Sequence, residues 1–162
     1  MSADPRWRLS GGAANADPNA SLGGVISSTE VAAGDNNLFD DVTGQQTTDG
    51  HTDYRGVYIF NNGDVDLIAP VVWIQDEASS SADIEIAIAA EGVGVTMATI
   101  ANEITAPSGV SFVEAPNKAG GITLPNIPSS SRKGIWVKRI IAPTTTAAAA
   151  RTFTLRVEGD TT

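Results

Sequence analysis

The residue best suited to acid–base chemistry is His51, the only histidine of the 162-residue chain. It lies in the run Asp49-Gly-His-Thr-Asp53, and two further carboxylates, Asp40 and Asp41, precede that run. A histidine that acts as a general base needs a hydrogen-bonded nucleophile and an orienting acid. The spacing identifies neither partner, and a lone histidine carries little catalytic information. We therefore interpret His51 as a histidine in a loop turn and predict that the chain is not an enzyme.

The acidic region around His51 is also the place to look for a metal site. Its aspartates could offer oxygen ligands to Ca²⁺; they are Asp35, Asp40, Asp41, Asp49 and Asp53. No EF-hand spacing is present, and Asp and Asn are also the residues that turns use to bind their own backbone. The chain has no cysteine, which excludes thiolate sites, and one imidazole is too few for zinc. We predict no cofactor and no metal, and calcium binding by residues 35–53 stays an open alternative.

Aromatic and basic side chains near the N-terminus favour binding to a partner. Arg6, Trp7 and Arg8 alternate in the way a short strand does, and Trp and Arg are enriched at interface hot spots. They are our candidate partner-binding residues. The alternative is that Trp7 docks on the sheet of its own chain. Because aromatic residues make up 6% of the chain, we expect at least two of its three tryptophans to lie in the core, which disfavours a carbohydrate platform.

Composition excludes several classes of partner. The chain has 10 Lys and Arg against 19 Asp and Glu, a net charge of −9, so it lacks the basic surface that nucleic acid requires. Apolar runs such as 86–90 are far shorter than the ~20 residues that span a bilayer, and the first residues do not resemble a secretory signal. Residues 11–24 are mostly Gly, Ala, Asn, Ser, Asp and Pro. We therefore expect residues 1–24 to be an extended N-terminal arm and residues 25–162 a β-sandwich domain.

Beyond residue 50 the hydrophobic pattern is that of strands. Residues 53–60 alternate, and the Asn-Gly turn of 61–64 predicts a hairpin in which 65–75 pairs back on them, with Pro70 at an edge or bulge. Residues 96–105 fit a helix and a strand equally well, and 143–150 is expected to be a long hairpin loop. Further strands are predicted by alternation at 84–88, 110–114, 122–124, 134–141 and 153–158.

Many short strands with turn signals at roughly 8–12-residue spacing, and no long helical pattern between them, are typical of an all-β fold. The pattern favours two facing sheets over a closed barrel. We therefore predict a β-sandwich with an extended N-terminal arm. Whether its strands follow a jelly-roll or an immunoglobulin-like topology is left open by the pattern alone.

Three stretches together carry a resemblance to a known group of proteins: Trp7-Arg-Leu-Ser-Gly-Gly12 with Asn19–Gly24, Asn37–Gly44 with Asp53–Asn62, and Gly134–Arg139 with Phe153–Asp160. In that order the chain resembles small virion proteins of tailed bacteriophages, which are usually encoded among head and tail structural genes. The resemblance spans nearly the whole chain, and its motifs are structural patterns. Gly56 departs from it, because a Cys or another small residue is expected there.

The resemblance implies a non-enzymatic structural protein located in the virion and made in the host bacterial cytoplasm. The first hypothesis is a capsid decoration, or cement, protein that binds the outer head surface as a homo-oligomer. Its partners would be the major capsid protein or other virion proteins, with no nucleic acid and no membrane involved. Two alternatives are a tail, neck or baseplate protein and a receptor- or glycan-binding module.

Overall fold

The structure is a computed structural model that describes residues 1–34, 36–77, 82–146 and 152–161. Within these ranges the chain forms seven strands and one α-helix. Their bounds are β1 (Pro5–Leu9), α1 (Gly44–Asp49), β2 (His51–Asn61), β3 (Leu67–Gln75), β4 (Ala82–Ile88), β5 (Ile122–Thr123), β6 (Arg132–Ile141) and β7 (Thr154–Thr161). The predicted all-β class is confirmed.

The strands form two antiparallel sheets that pack face to face. The four-stranded sheet has the order β1-β2-β6-β4 and the three-stranded sheet has the order β5-β3-β7, so consecutive strands from β2 onward alternate between sheets. Period-2 alternation turns Val57 of β2 and Ile135 of β6 toward Val72 and Ile74 of β3, and all four are buried in one core cluster. This core makes the predicted sandwich.

The opposite face of the four-stranded sheet is covered by irregular chain. Residues 10–27 and 89–113, called the loop layer below, place Met97 and Ile100 over the side chains of Tyr58 and Trp136. These four side chains are buried in a second core cluster. Because the sheet is buried on both faces, apolar side chains occur at successive positions along β2 and β6, as strands with two covered faces require.

The predicted hairpin between residues 53–60 and 65–75 is wrong. The two edges of β2 are occupied by β1 and β6, so β3 joins the other sheet. The Asn61 side chain holds the start of this crossing, because its amide donates to the carbonyls of Val65 (2.9 Å) and Ile127 (3.0 Å). The bulge expected near Pro70 is confirmed by a register shift between Ile68 and Val71.

Residues 1–24 do not form the separate extended arm that their composition predicts. β1 is a strand of the four-stranded sheet, with Trp7 opposite Ile59. Its outer edge is covered by the chain that follows, since Leu9 N–H donates to Thr29 O and Val31 N–H to Trp7 O. Residues 10–24 belong to the loop layer. Residues 1–24 are therefore integrated into the unit formed by residues 25–162, and Trp7 docks on its own sheet.

Three smaller elements also differ from the sequence patterns. Residues 96–105 form neither helix nor strand, and of residues 110–114 one residue, Val113, makes an isolated bridge to Ile86. Helix α1 was missed although Thr43 and Gln46 form a capping box at its start. The predicted loop at 143–150 lies partly outside the described residues.

Candidate binding surface

The candidate residues of β1 lie on two different faces of the sheet. Trp7 is partly buried against the core between the sheets, whereas Arg6 and Arg8 point to the opposite face, as neighbours on a strand must. Arg6 Nε donates to Asp4 Oδ1 at 2.8 Å, and this hydrogen bond lowers the pKa of Asp4. The Arg8 guanidinium lies 4.0 Å from the centre of the Phe60 ring. The structure therefore does not bring the three residues together as one patch.

The loop layer is fastened to the sheet by Tyr58. The Tyr58 hydroxyl donates to Gly24 O at 2.6 Å and accepts from Met97 N–H at 2.7 Å. These two partners belong to different segments of the loop layer, and a bridge pairs them with each other. Burial raises the pKa of Tyr58 above its ordinary value of 10.0, which favours the neutral hydroxyl that donates and accepts here. One side chain thus holds both segments against β2.

Two glycines let the loop layer approach the sheet closely. A Cβ at Gly134 would lie 2.6 Å from Met97 Sδ, and a Cβ at Gly56 would lie 3.0 Å from both Gly23 N and Met97 Cε. Gly56 N–H also donates to Ser21 O at 2.8 Å, so the loop takes the place of a neighbouring strand beyond the end of β1. The space available at Gly56 explains why this position needs the smallest residue.

Arg55 fastens three separate loops at one point. Its side chain is fully buried on β2. Nη2 donates to Asn19 Oδ1 at 2.9 Å and to Glu103 Oε2 at 2.7 Å, while Nε donates to Leu38 O at 3.1 Å. The guanidinium therefore ties both segments of the loop layer to the segment that precedes α1. Planar, multidentate donation of this kind is a property of arginine that lysine does not share.

A buried ion pair lies beside Arg55. Asp53 on β2 stands opposite Arg139 on β6, and the Arg139 Nε and Nη2 atoms donate to the two Asp53 carboxylate oxygens at 3.0 and 2.6 Å. Arg139 Nη1 also donates to Asp40 O at 2.7 Å. The pair is nearly inaccessible to water, so each charge depends on the other for compensation.

His51 begins β2, which corrects the interpretation that it lies in a loop turn. Its Nε2 atom is 3.7 Å from Asp53 Oδ2 and has no hydrogen-bond partner among the described residues. Both carboxylate oxygens of Asp53 already accept from Arg139. Asp53 is therefore engaged as the counter-ion of Arg139, and the contact to His51 is longer than a hydrogen bond.

The structure does not gather the aspartates that were candidates for calcium. Asp53 is engaged by Arg139, and Asp40 Oδ1 accepts from Asn19 at 3.0 Å. Asp35 lies outside the described residues. Within the described ranges no three or more His, Cys, Asp or Glu side chains are placed to hold a metal ion.

A cleft of about 670 Å³ opens between residues 31–42 and the start of β7. Its wall includes Trp7, Phe39 and Phe153 together with the buried Arg139. Among the described residues that line the cleft, threonines supply the hydroxyl groups and none is a histidine. The Arg139 guanidinium at the wall of the cleft is paired with the Asp53 carboxylate.

Exposed apolar side chains are concentrated on the loop layer. Val25 (49% exposed), Val95 (50%) and Ile104 (61%) lie on it, and Val113 (41%) ends it. Apart from Met1 these are the large apolar side chains that are exposed in the described part of the chain. The bridge between Gly24 and Met97 places Val25 and Val95 on neighbouring segments.

Sequence patterns did not identify Arg55, Tyr58 and Arg139 as residues that hold loops or strands together, because all three read as ordinary members of alternating strands. One available signal was the parity of β2, which puts Asp53 and Arg55 on the same face as Val57. A charge on an apolar face indicates a buried, paired group. Nothing in the sequence identified the loops that Arg55 binds.

None of the helices in the described ranges is both long and apolar enough to cross a bilayer. The regular structure of the described chain is almost entirely β-strand, and its irregular segments are held by side-chain hydrogen bonds. Compared with known proteins, the chain matches no family model, no curated protein and no solved structure.

Proposed function

We propose that this chain is a non-enzymatic structural component of a tailed-phage virion, a capsid decoration protein that binds the outer head surface as a homo-oligomer. The observation that carries the proposal is the rigid attachment of the loop layer. Tyr58 and Arg55 hold irregular segments that are distant in sequence against one sheet. The resemblance of the motifs around Trp7, Phe60 and Trp136 to small phage virion proteins supports the virion as its location.

A loop surface that is held in one conformation is suited to binding. Binding residues are concentrated on loops that a rigid scaffold positions. Because the loop layer is ordered before it meets a partner, little conformational entropy is lost on association. Val25, Val95 and Ile104 are exposed on this surface and offer apolar area to a flat partner. We therefore assign the loop layer as the face that contacts the shell.

The residues of β1 have different parts in this proposal. Trp7 acts by keeping β1 in the sheet, since its ring packs on the core. Arg6 is exposed and lies beside Asp4 and Glu30, and Arg8 is partly exposed on the same face. The two arginines are therefore candidate contacts at the margin of the surface, whereas Trp7 positions them.

Copies per particle test the location. Purified protein is added to heads from the encoding phage with its gene deleted, and bound copies are counted by quantitative mass spectrometry and cryo-electron microscopy. We expect on the order of hundreds of copies in a symmetric array, as repeated shell sites require. A count of about a dozen or fewer, at one vertex or on the tail, would replace the head with a neck, tail or baseplate location.

A double variant tests the loop layer with the same assay. Val25→Asp combined with Val95→Asp puts two charges on the proposed contact face, and head occupancy should fall. The matched control is Thr123→Asp, which adds a charge to an exposed position of β5 on the other sheet. Equal occupancy of all these proteins on heads would refute the assignment of the loop layer.

The glycan-binding alternative has less support. Trp73 is 6% exposed and Trp136 is 2% exposed, as predicted for at least two of the three tryptophans. Trp7 is partly buried against the core. None of the three tryptophans is therefore fully exposed as a platform for stacking on a sugar.

A further inference from the structure

The outer edge of β7 is unpaired within the described ranges. β7 is eight residues long and pairs with β3 alone, whereas residues 27–31 pair with the outer edge of β1 and Val113 makes a bridge to Ile86 at the outer edge of β4. No backbone hydrogen bond joins the outer edge of β7 to another described residue. An open edge strand is a template for pairing with another chain.

The register shows which backbone groups point outward. Ile74 N–H donates to Ala115 O at 2.7 Å, on the side of β3 that faces away from β7. Ile74 and its register partner Leu155 are therefore a non-hydrogen-bonded pair. Because the backbone alternates along a strand, Val157 is oriented like Leu155, and so is Gly159. The N–H and C=O groups of these three residues of β7 face the open edge.

A second copy of β7 fits this edge in one particular register. If two copies run antiparallel about a two-fold axis at Val157, each Val157 lies opposite its equivalent and each Leu155 lies opposite Gly159 of the second copy. These are the residues whose backbone groups face outward, so the hydrogen bonds of an antiparallel ladder are available.

The side chains are also complementary in this register. Arg156 of each copy lies opposite Glu158 of the other, in a non-hydrogen-bonded pair where side chains approach most closely. Both side chains are exposed in the single chain, where the contact between Arg156 and Glu158 is 3.7 Å long. Two opposite-charge pairs are formed by one two-fold contact. A shift by one residue would place Glu158 opposite Val157 and lose both pairs.

We propose that β7 pairs with β7 of a second copy, antiparallel about a two-fold axis at Val157, and so joins two three-stranded sheets into one sheet of six strands. This dimer stands independently of the proposed function, because it does not require a phage head. It would also supply the homo-oligomer that a decoration protein needs.

Three variants of the full chain test the dimer by sedimentation equilibrium, with circular dichroism as the check of folding. Arg156→Glu places like charges opposite each other and should weaken dimerisation roughly tenfold or more. Arg156→Glu combined with Glu158→Arg and Lys118→Ala restores opposite charges across the axis, because the alanine removes the cation that otherwise pairs with Glu158, and should recover the dimer. Val157→Pro removes an outward N–H that β3 does not use, so the chain should fold and be monomeric.

The matched control is Asp83→Arg, an equal charge reversal at an exposed position of β4 in the other sheet, which should leave the dimer intact. A wild-type chain that stays monomeric at high concentration overturns the proposal. A dimer that survives both Arg156→Glu and Val157→Pro has its interface elsewhere and also overturns it. Failure of the double reversal to rescue refutes the Val157 register. Dimerisation without head binding would uphold the edge contact and contradict the proposed function instead.

Discussion

The two sheets of this protein differ in how their faces and edges are covered. The four-stranded sheet has a core on each face, paired chain along the outer edge of β1 and a bridge from Val113 at the outer edge of β4. The three-stranded sheet has one long outer strand, β7, with exposed residues along it. The nearly inaccessible ion pair of Asp53 and Arg139 lies in the first sheet, which also carries exposed pairs such as Arg6 with Asp4, whereas Lys118 and Glu158 are paired in solvent at the second. The most deeply buried ion pair therefore lies in the four-stranded sheet, and the three-stranded sheet, called the open sheet below, has the edge of β7 that is unpaired within the described ranges.

The largest expected effect is at the buried ion pair. Asp53→Ala leaves the Arg139 guanidinium buried without its counter-ion, and we expect a loss of about 3–5 kcal/mol in the free energy of unfolding. Urea denaturation measures it. Combining Asp53→Ala with Arg139→Met removes the stranded charge and should recover part of the loss.

A neighbouring pair provides the matched control for that measurement. Lys138 is adjacent to Arg139 on β6 and pairs with Glu85, but both side chains are 21% exposed. Lys138→Ala should cost about 0–1 kcal/mol, because solvent compensates the remaining charge. If Asp53→Ala and Lys138→Ala destabilise equally, burial is not what distinguishes the two pairs.

The next effect concerns the approach of the loop layer. Gly134→Ala adds a methyl group that would lie 2.6 Å from Met97 Sδ, and we expect destabilisation of about 1–3 kcal/mol from overpacking. Gly92→Ala is the control, because its methyl would meet Val95 Cγ2 at an ordinary 3.8 Å. Thermal unfolding of both variants compares them, and equal melting temperatures would contradict a close approach at Gly134.

Tyr58→Phe tests the fastening of the loop layer. The variant leaves Gly24 O and Met97 N–H without their partner, and the expected cost at pH 7 is about 1–3 kcal/mol. Burial raises the pKa of Tyr58 above its ordinary value of 10.0. Above pH 10 the unfolded tyrosine therefore ionises while the folded one stays neutral, which stabilises the unfolded wild type. The stability difference between wild type and variant should shrink from pH 9 to pH 11, and a constant difference would show that Tyr58 is not protected.

The smallest effect is expected at the open sheet. The hydrogen bond from Lys118 lowers the pKa of Glu158. Lys118→Ala should return that pKa toward its ordinary 4.5, as NMR titration would record, without a measurable change in melting temperature. A loss in melting temperature as large as that of Tyr58→Phe would mean that the exposed pair of Lys118 and Glu158 stabilises the fold as strongly as the buried hydroxyl does.

Sequence patterns located the strands better than their partners. Alternation correctly identified β2, β4, β6 and β7, because each strand has one face in the inter-sheet core. The Asn-Gly turn after β2 predicted a local hairpin, yet a turn signal describes a bend and not the partner of the strand. The edges of β2 are filled by residues 5–9 and 132–141, and no local pattern reports such distant partners.

The candidate surface was harder to predict than the fold. Composition indicated that residues 11–24 cannot bury much apolar area, but it did not count hydrogen bonds such as those from Asn15 to Ser10 O and from Ser27 to Asn15 O. The ion pair of Asp53 and Arg139 joins residues 86 positions apart and depends on the register of two strands. Long-range register is a property of the assembled sheet.

The alternation of strands between sheets has a consequence for how the chain folds. β2 pairs with β6, and β3 pairs with β7, across long stretches of sequence. Most of the chain is therefore needed before either sheet is complete. Chains dominated by such remote pairings fold slowly, on the order of milliseconds to seconds. Once assembled, β6 cannot leave without parting from both β2 and β4. Loss of β6 therefore breaks two of the three ladders of the four-stranded sheet at once.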